Sequence, residues 1–139
     1  MSNKFIHLAS PGIAELKPYV PGKPISELER ELGITDSIKL ASNENPLGPS
    51  AKVKAAVEAE LADLARYPDG GGFALRQAIA ERHGVAAGQV TLGNGSNDVL
   101  DLIARVFLRP GRESLFSQYA FAVYPISSQS VGATIKVAP

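Results

Sequence analysis

VTLGNGSNDVLDLIARVFL, residues 90–108, decides how this chain is read. A short β-branched run ends in Gly93-Asn94-Gly95, and a helical pattern starts at once. Val99, Leu100, Leu102, Ile103, Val106 and Phe107 recur at the spacing of one helix face. The expectation is a strand over 89–92, a glycine turn, and a helix over 96–108. Such a helix start holds anions well. Its first N–H groups have no helical partner, and the positive end of the dipole lies there. Ser96 and Asn97 are residue types that suit that position. The glycine string lacks the third glycine of a dinucleotide fingerprint and the Gly-Lys-Ser/Thr of a P-loop. An ordinary capped strand-to-helix turn therefore fits it equally well.

Working outward, residues 1–23 are rich in proline and glycine and read as an extended arm. Residues 25–32 read as a short helix opened by Pro24 and closed by Gly33. Residues 38–41 read as a strand and 43–49 as a loop held by prolines and a glycine. A helix is expected over 51–64, capped by Ser50, with Val53, Val57, Leu61 and Leu64 in one stripe. A turn over 67–72 leads to a helix over 73–83 that Gly84 ends. After the stop at Arg109-Pro110-Gly111, strands are expected over 114–117 and 133–137. Between them, residues 120–130 read as helical, with a kink or break at Pro125. Strand, helix, strand, helix, strand is the order of parallel βαβ units. The fold class is therefore α/β, a mostly parallel sheet preceded by an arm and a short helix. Its last strand would leave an unpaired edge and too few helices to cover both faces, so the expectation is an incomplete domain.

Composition narrows the function classes. The 139 residues are 45% hydrophobic and 20% charged, with a formal net charge of zero. A nucleic-acid partner would want a clustered basic face, so none is expected. There is no cysteine, and His7 and His83 are the two histidines, so neither disulfides nor a metal site is expected. His83 suits a helix end and His7 falls in the arm; neither earns a role. No apolar run reaches membrane-spanning length, and the N-terminus lacks the apolar core of a secretory signal. The expected location is cytoplasmic.

Five short motifs then fall in a telling order: LASNENPLGPS at 40–50, RYPD at 66–69, LRQAIA at 75–80, LGNGSND at 92–98 and YAFAVY at 119–124. Together they resemble the N-terminal part of the histidinol-phosphate aminotransferases, within the fold-type I pyridoxal-phosphate (PLP) enzymes. The resemblance covers roughly residues 11 to 139. NENPLGP and GNGSND are its most specific pieces. It implies an α/β domain of the PLP aminotransferase type. Residues 1–35 would be an arm and short helix in the small domain and dimer contact, and 36–139 the first part of the PLP-binding large domain. It also implies a homodimer using PLP, with L-histidinol phosphate and 2-oxoglutarate/glutamate as substrates and a ping-pong reaction in histidine biosynthesis.

The resemblance assigns residues as well. Gly95, Ser96 and Asn97 match the positions that hold the cofactor phosphate. Asp98 reads instead as a helix-dipole residue, since a carboxylate repels phosphate. Phe121 falls where the family stacks an aromatic on the pyridoxal ring; without the resemblance it reads as an ordinary core phenylalanine. The family often has Pro-Thr before this aromatic, where Tyr119-Ala120 stands here. Tyr67 matches a tyrosine that reaches the cofactor phosphate of the partner subunit, or it packs on Pro68. Tyr19 matches an arm tyrosine that contacts substrate phosphate. Asn43 and Glu44 lie in the loop that borders the substrate side; on the residues alone, a local turn bond for Asn43 and simple solvation for Glu44 are the stronger readings, as an ordinary role is for Tyr19. No catalytic residue is expected within these residues. Lys4, Lys17, Lys23, Lys39, Lys52, Lys54 and Lys136 all stand in contexts unlike the family's Schiff-base lysine, which is expected beyond Pro139. Two alternatives share these motifs: another fold-type I enzyme, such as an aromatic transaminase or a threonine-phosphate decarboxylase-like lyase, and a short non-catalytic phosphate-binding module.

Overall fold

Two five-residue strands pair in parallel and carry the α/β part of the chain. The computed structural model describes residues 5–10 and 12–139. Its contacts divide these into two compact units, one of residues 5–19 (Pro11 aside) and 72–139, the other of residues 20–71.

In the first unit, β1 (Glu113–Ser117) lies beside β2 (Thr134–Ala138), with Glu113 opposite Thr134 and Ser117 opposite Ala138. Ser114 and Phe116 turn inward while Glu113, Leu115 and Ser117 face out, the period-2 pattern of a sheet covered on one side. The parallel pairing needs a crossover, and a helix over Val123–Ser130 supplies it. Against that helix packs another, Ser96–Phe107. Ala104, Val123, Ser127 and Ser128 are buried on these two helices, small side chains that let the backbones approach. Ser128 Oγ donates to the Tyr124 carbonyl at 2.8 Å, so its burial leaves no open donor. Phe116 and Tyr124 meet with ring centroids 6.0 Å apart.

The helix over Phe73–His83 enters the same unit between Gly72 and Gly84, both in the left-handed region. Its Arg76 donates from Nη2 to the Ala87 carbonyl at 3.0 Å and ties it to the 3-10 turn Ala87–Gln89. The arm is anchored too. Gln129 Nε2 donates to the Gly12 carbonyl at 2.9 Å. Gly12 has φ 91, and a Cβ there would stand 3.0 Å from the Gln129 carbonyl oxygen.

The second unit holds two helices. Ile25–Leu32 runs from Pro24 to Gly33, whose φ of 64 makes the left-handed exit that glycine permits. Ser37 closes the turn after it, donating from N and Oγ to Glu29 Oε1 at 3.3 and 3.1 Å. Ala51–Glu60 is capped by Ser50 Oγ, which accepts from the Val53 N–H at 3.3 Å. In chain order the helices are hereafter α1 (Ile25–Leu32), α2 (Ala51–Glu60), α3 (Phe73–His83), α4 (Ser96–Phe107) and α5 (Val123–Ser130).

Several expectations need correction. Residues 38–41 and 89–92 form no strand. Val90 has extended torsions, φ −104 and ψ 122, yet among the described residues β1 and β2 make the whole sheet. Extended torsion becomes a strand only when a neighbour supplies the ladder. The helix expected over 51–64 ends at Glu60 and tightens into a 3-10 turn, Leu61–Asp63. Pro125 breaks nothing. It is the third residue of α5, where its missing N–H has no helical partner to lose. The arm is not simply extended, since Ile6–Leu8 and Ile13–Glu15 are 3-10 turns. The parts of the arm at residues 1–4 and Pro11 lie outside the described residues.

Candidate functional site

The glycine turn before α4 is crowded at Gly93 and takes a positive φ at Gly95. A Cβ on Gly93 would lie 2.8 Å from Val99 Cγ2 and 2.9 Å from Asp98 Oδ2. The Gly95 N–H donates to the Gly93 carbonyl at 2.8 Å and draws the turn tight. Gly95 itself sits at φ 81 and ψ 176, a region that L side chains scarcely enter. Asp98 Oδ2 accepts from the Asn94 N–H at 3.0 Å. Its carboxylate thus closes the turn from inside the first helical turn, where negative charge is favoured.

No side chain caps this helix start. The N–H groups of Ser96 and Asn97 are therefore presented at the dipole's positive end, and residues 94–97 are exposed. The three positions expected to hold a phosphate stand together as a free helix N-terminus. α3 begins close by, since a Cβ at Gly72 would collide with Leu92.

Phe121 lies in the short connection after β1, ahead of α5. Ligands of open α/β sheets gather outside the carboxyl ends of the strands, and Phe121 follows such an end. It is half-exposed, with 46% of its surface open. Its ring meets that of Tyr19 edge to face, centroids 5.4 Å apart and planes at 68°.

Asn43, Glu44 and Tyr67 belong to the other unit. Ser42 and Asn43 both take positive φ, 77 and 47, in a sharp left-handed bend. Beyond it Asn45 makes a local turn, Oδ1 accepting from the Leu47 N–H at 3.1 Å and Nδ2 donating to the Gly48 carbonyl at 3.0 Å. Glu44 is not merely solvated, for its Oε1 pairs with Lys39 Nζ at 2.7 Å. An open cavity of about 700 Å³ lies there, bordered by Ser37, Lys39, Asn43 and Glu44. Tyr67 is fully exposed and does not pack on Pro68. Two pairings escaped the sequence reading. Lys39 and Glu44 stand at no helical or strand spacing, and nothing in the order of residues joins Tyr19 to Phe121. Among the described residues no group of three or more His, Asp or Glu could hold a metal, and no helix is long and apolar enough to cross a membrane.

Residues 35–139 match the family described as Aminotransferase class I and II. A relative in Pseudomonas aeruginosa, Histidinol-phosphate aminotransferase 2, is 63% identical over 131 residues, covering 93% of this chain and 36% of its own length. A protein of the same name in Pseudomonas fluorescens is 60% identical over 141 residues, covering all of this chain and 38% of its own length. The chain thus spans little more than a third of the relatives it matches. Among solved structures, the histidinol-phosphate aminotransferase of Sinorhizobium meliloti, in complex with pyridoxal-5'-phosphate, superposes with a TM-score of 0.75 at 23% identity over 86% of this chain and 33% of that one. That likeness establishes the α/β fold of the chain.

Proposed function

Because the chain belongs to the class I and II aminotransferases, we propose that it is the N-terminal portion of a PLP-dependent enzyme that moves an amino group between L-histidinol phosphate and 2-oxoglutarate, in histidine biosynthesis. The observation that carries this reading is the close match, over nearly the whole chain, to relatives bearing that name. In it, residues 1–35 form an arm and small-domain segment at a dimer contact, and residues 36–139 open the PLP-binding large domain of a cytoplasmic homodimer.

The residues fit the cofactor. A dianionic phosphate needs several donors and no competing cap. The exposed, uncapped start of α4 offers the Ser96 and Asn97 N–H groups behind the Gly93–Gly95 bend. Bound PLP supplies an electron sink for bonds at the amino-bearing carbon of the substrate. Gly95, Ser96 and Asn97 hold its phosphate. Phe121 lies on the pyridine face, fixing the ring plane and excluding water from that side. Tyr67, fully exposed among the described residues, donates its phenol to the cofactor phosphate of the neighbouring subunit. Tyr19 donates its hydroxyl to the phosphate of the substrate, and Asn43 and Glu44 border the substrate from their bend.

The full-length enzyme tests this directly. With PLP and 2-oxoglutarate it is expected to convert L-histidinol phosphate with a kcat/KM well above that for tyrosine, phenylalanine or threonine phosphate. Faster turnover of an aromatic amino acid, or decarboxylation of threonine phosphate, refutes the substrate assignment. Failure to bind PLP refutes the cofactor site.

A further inference from the structure

We infer that Tyr19 is a positioning residue for Phe121: its ring braces the phenylalanine, while its hydroxyl stays available for the substrate. The inference rests on the reading that Phe121 lies on the pyridoxal ring, and adds to it how that ring is kept in orientation. Phe121 sits in a connection and not in a strand or helix, and it is half-exposed. Rotation about χ2 of a phenylalanine is soft, so burial this slight does not fix its plane. The edge-to-face contact with Tyr19, 5.4 Å between centroids at 68°, supplies the missing restraint. In such a pair the positive edge of one ring meets the negative face of the other, which fixes direction as well as distance.

A second contact joins the same two stretches of chain. Gln129 on α5, the helix that follows Phe121, donates to the Gly12 carbonyl of the arm. The positive φ of Gly12 and the 3.0 Å approach of its Cβ position to the Gln129 carbonyl oxygen make any other residue there strained. The arm is thus pinned to α5 at Gly12 and to the connection before α5 at Tyr19. An arm held in this way brings one tyrosine to two tasks, done by different parts of its side chain. The hydroxyl serves the substrate phosphate and the ring serves the cofactor plane.

Variants of the full-length enzyme separate the two tasks. Tyr19→Phe keeps the ring and loses the hydroxyl; Tyr19→Leu and Tyr19→Met keep apolar volume and lose the ring. Far-UV circular dichroism identifies folded variants, and the two ringless substitutions guard against one of them failing to fold. Without substrate, PLP affinity by absorbance titration is expected to fall about two- to tenfold in Tyr19→Leu and Tyr19→Met, with an altered dichroism of the cofactor band. Tyr19→Phe is expected to match the original in both. The KM for histidinol phosphate should rise in all three. If the ringless variants hold PLP with the original affinity and dichroism while Phe121→Leu does not, the brace is refuted and the stacking role of Phe121 stands. If Phe121→Leu is silent as well, the stacking reading fails and takes the brace with it. If Tyr19→Phe loses as much affinity as Tyr19→Leu, the hydroxyl and not the ring is responsible, which also refutes the inference.

Discussion

Gly95→Ala tests the geometry of the proposed phosphate site more sharply than any change to a polar side chain. Gly95 sits at φ 81 and ψ 176, with no atom within 4 Å of where a Cβ would stand. Alanine therefore meets no collision, and the whole effect is backbone strain. Residence in that region costs a non-glycine residue about 1–3 kcal/mol. The cost has two places to show itself. If the turn keeps its shape, the apo-enzyme loses that stability. If the turn relaxes, the 2.8 Å bond from the Gly95 N–H to the Gly93 carbonyl goes, the Ser96 and Asn97 N–H groups turn away, and PLP affinity falls about five- to 150-fold. Gly88→Ala is the control, since Gly88 has no positive φ and nothing within 4 Å of an added Cβ. The assay is thermal or denaturant unfolding of the apo-enzyme together with a PLP titration, on the full-length protein. The two losses should sum to about the strain cost in Gly95→Ala and to nearly nothing in Gly88→Ala. Unchanged stability and unchanged affinity in Gly95→Ala would show that the bend is neither strained for alanine nor needed for the phosphate.

Three further outcomes are expected. Phe121→Leu in the full-length enzyme should weaken PLP retention by about 0.5–1.5 kcal/mol and alter the spectrum of the bound cofactor, while Phe121→Tyr behaves like the original; absorbance and dichroism decide it. Ser50→Ala removes the acceptor for the Val53 N–H and should lower stability by about 1 kcal/mol, with Ser50→Gly costing only a few tenths, as read by denaturant unfolding; equal losses in the two would mean that the cap bond contributes little. A polypeptide of these 139 residues alone should show no transaminase turnover, and borohydride reduction in the presence of PLP should leave no single labelled lysine by mass spectrometry. One stoichiometrically labelled lysine with turnover would overturn the view that none of its lysines is the family's catalytic one.

What the sequence determined by itself was whatever is encoded locally. The 3.6-residue spacing of Val99, Ile103 and Val106 placed α4. Ser50, Gly33 and Gly84 marked helix ends because capping and left-handed torsion act within one turn of chain. The glycine turn was legible for the same reason, since Gly93 and Gly95 answer to atoms two to six residues away. Composition and five ordered motifs were enough for the family and the α/β class. Tertiary structure decided whatever depends on a distant partner. Residues 89–92 have strand composition, yet Gln89 closes a 3-10 turn and Val90, though extended, has no neighbouring ladder to join. Pro125 looked like a break until its place in the first turn of α5 showed that it had no bond to lose. Glu44 gained Lys39, and Phe121 gained Tyr19 from more than a hundred residues away. Side-chain periodicity records which face of an element is buried, but not what comes to lie against it, because that choice is made only when distant segments meet.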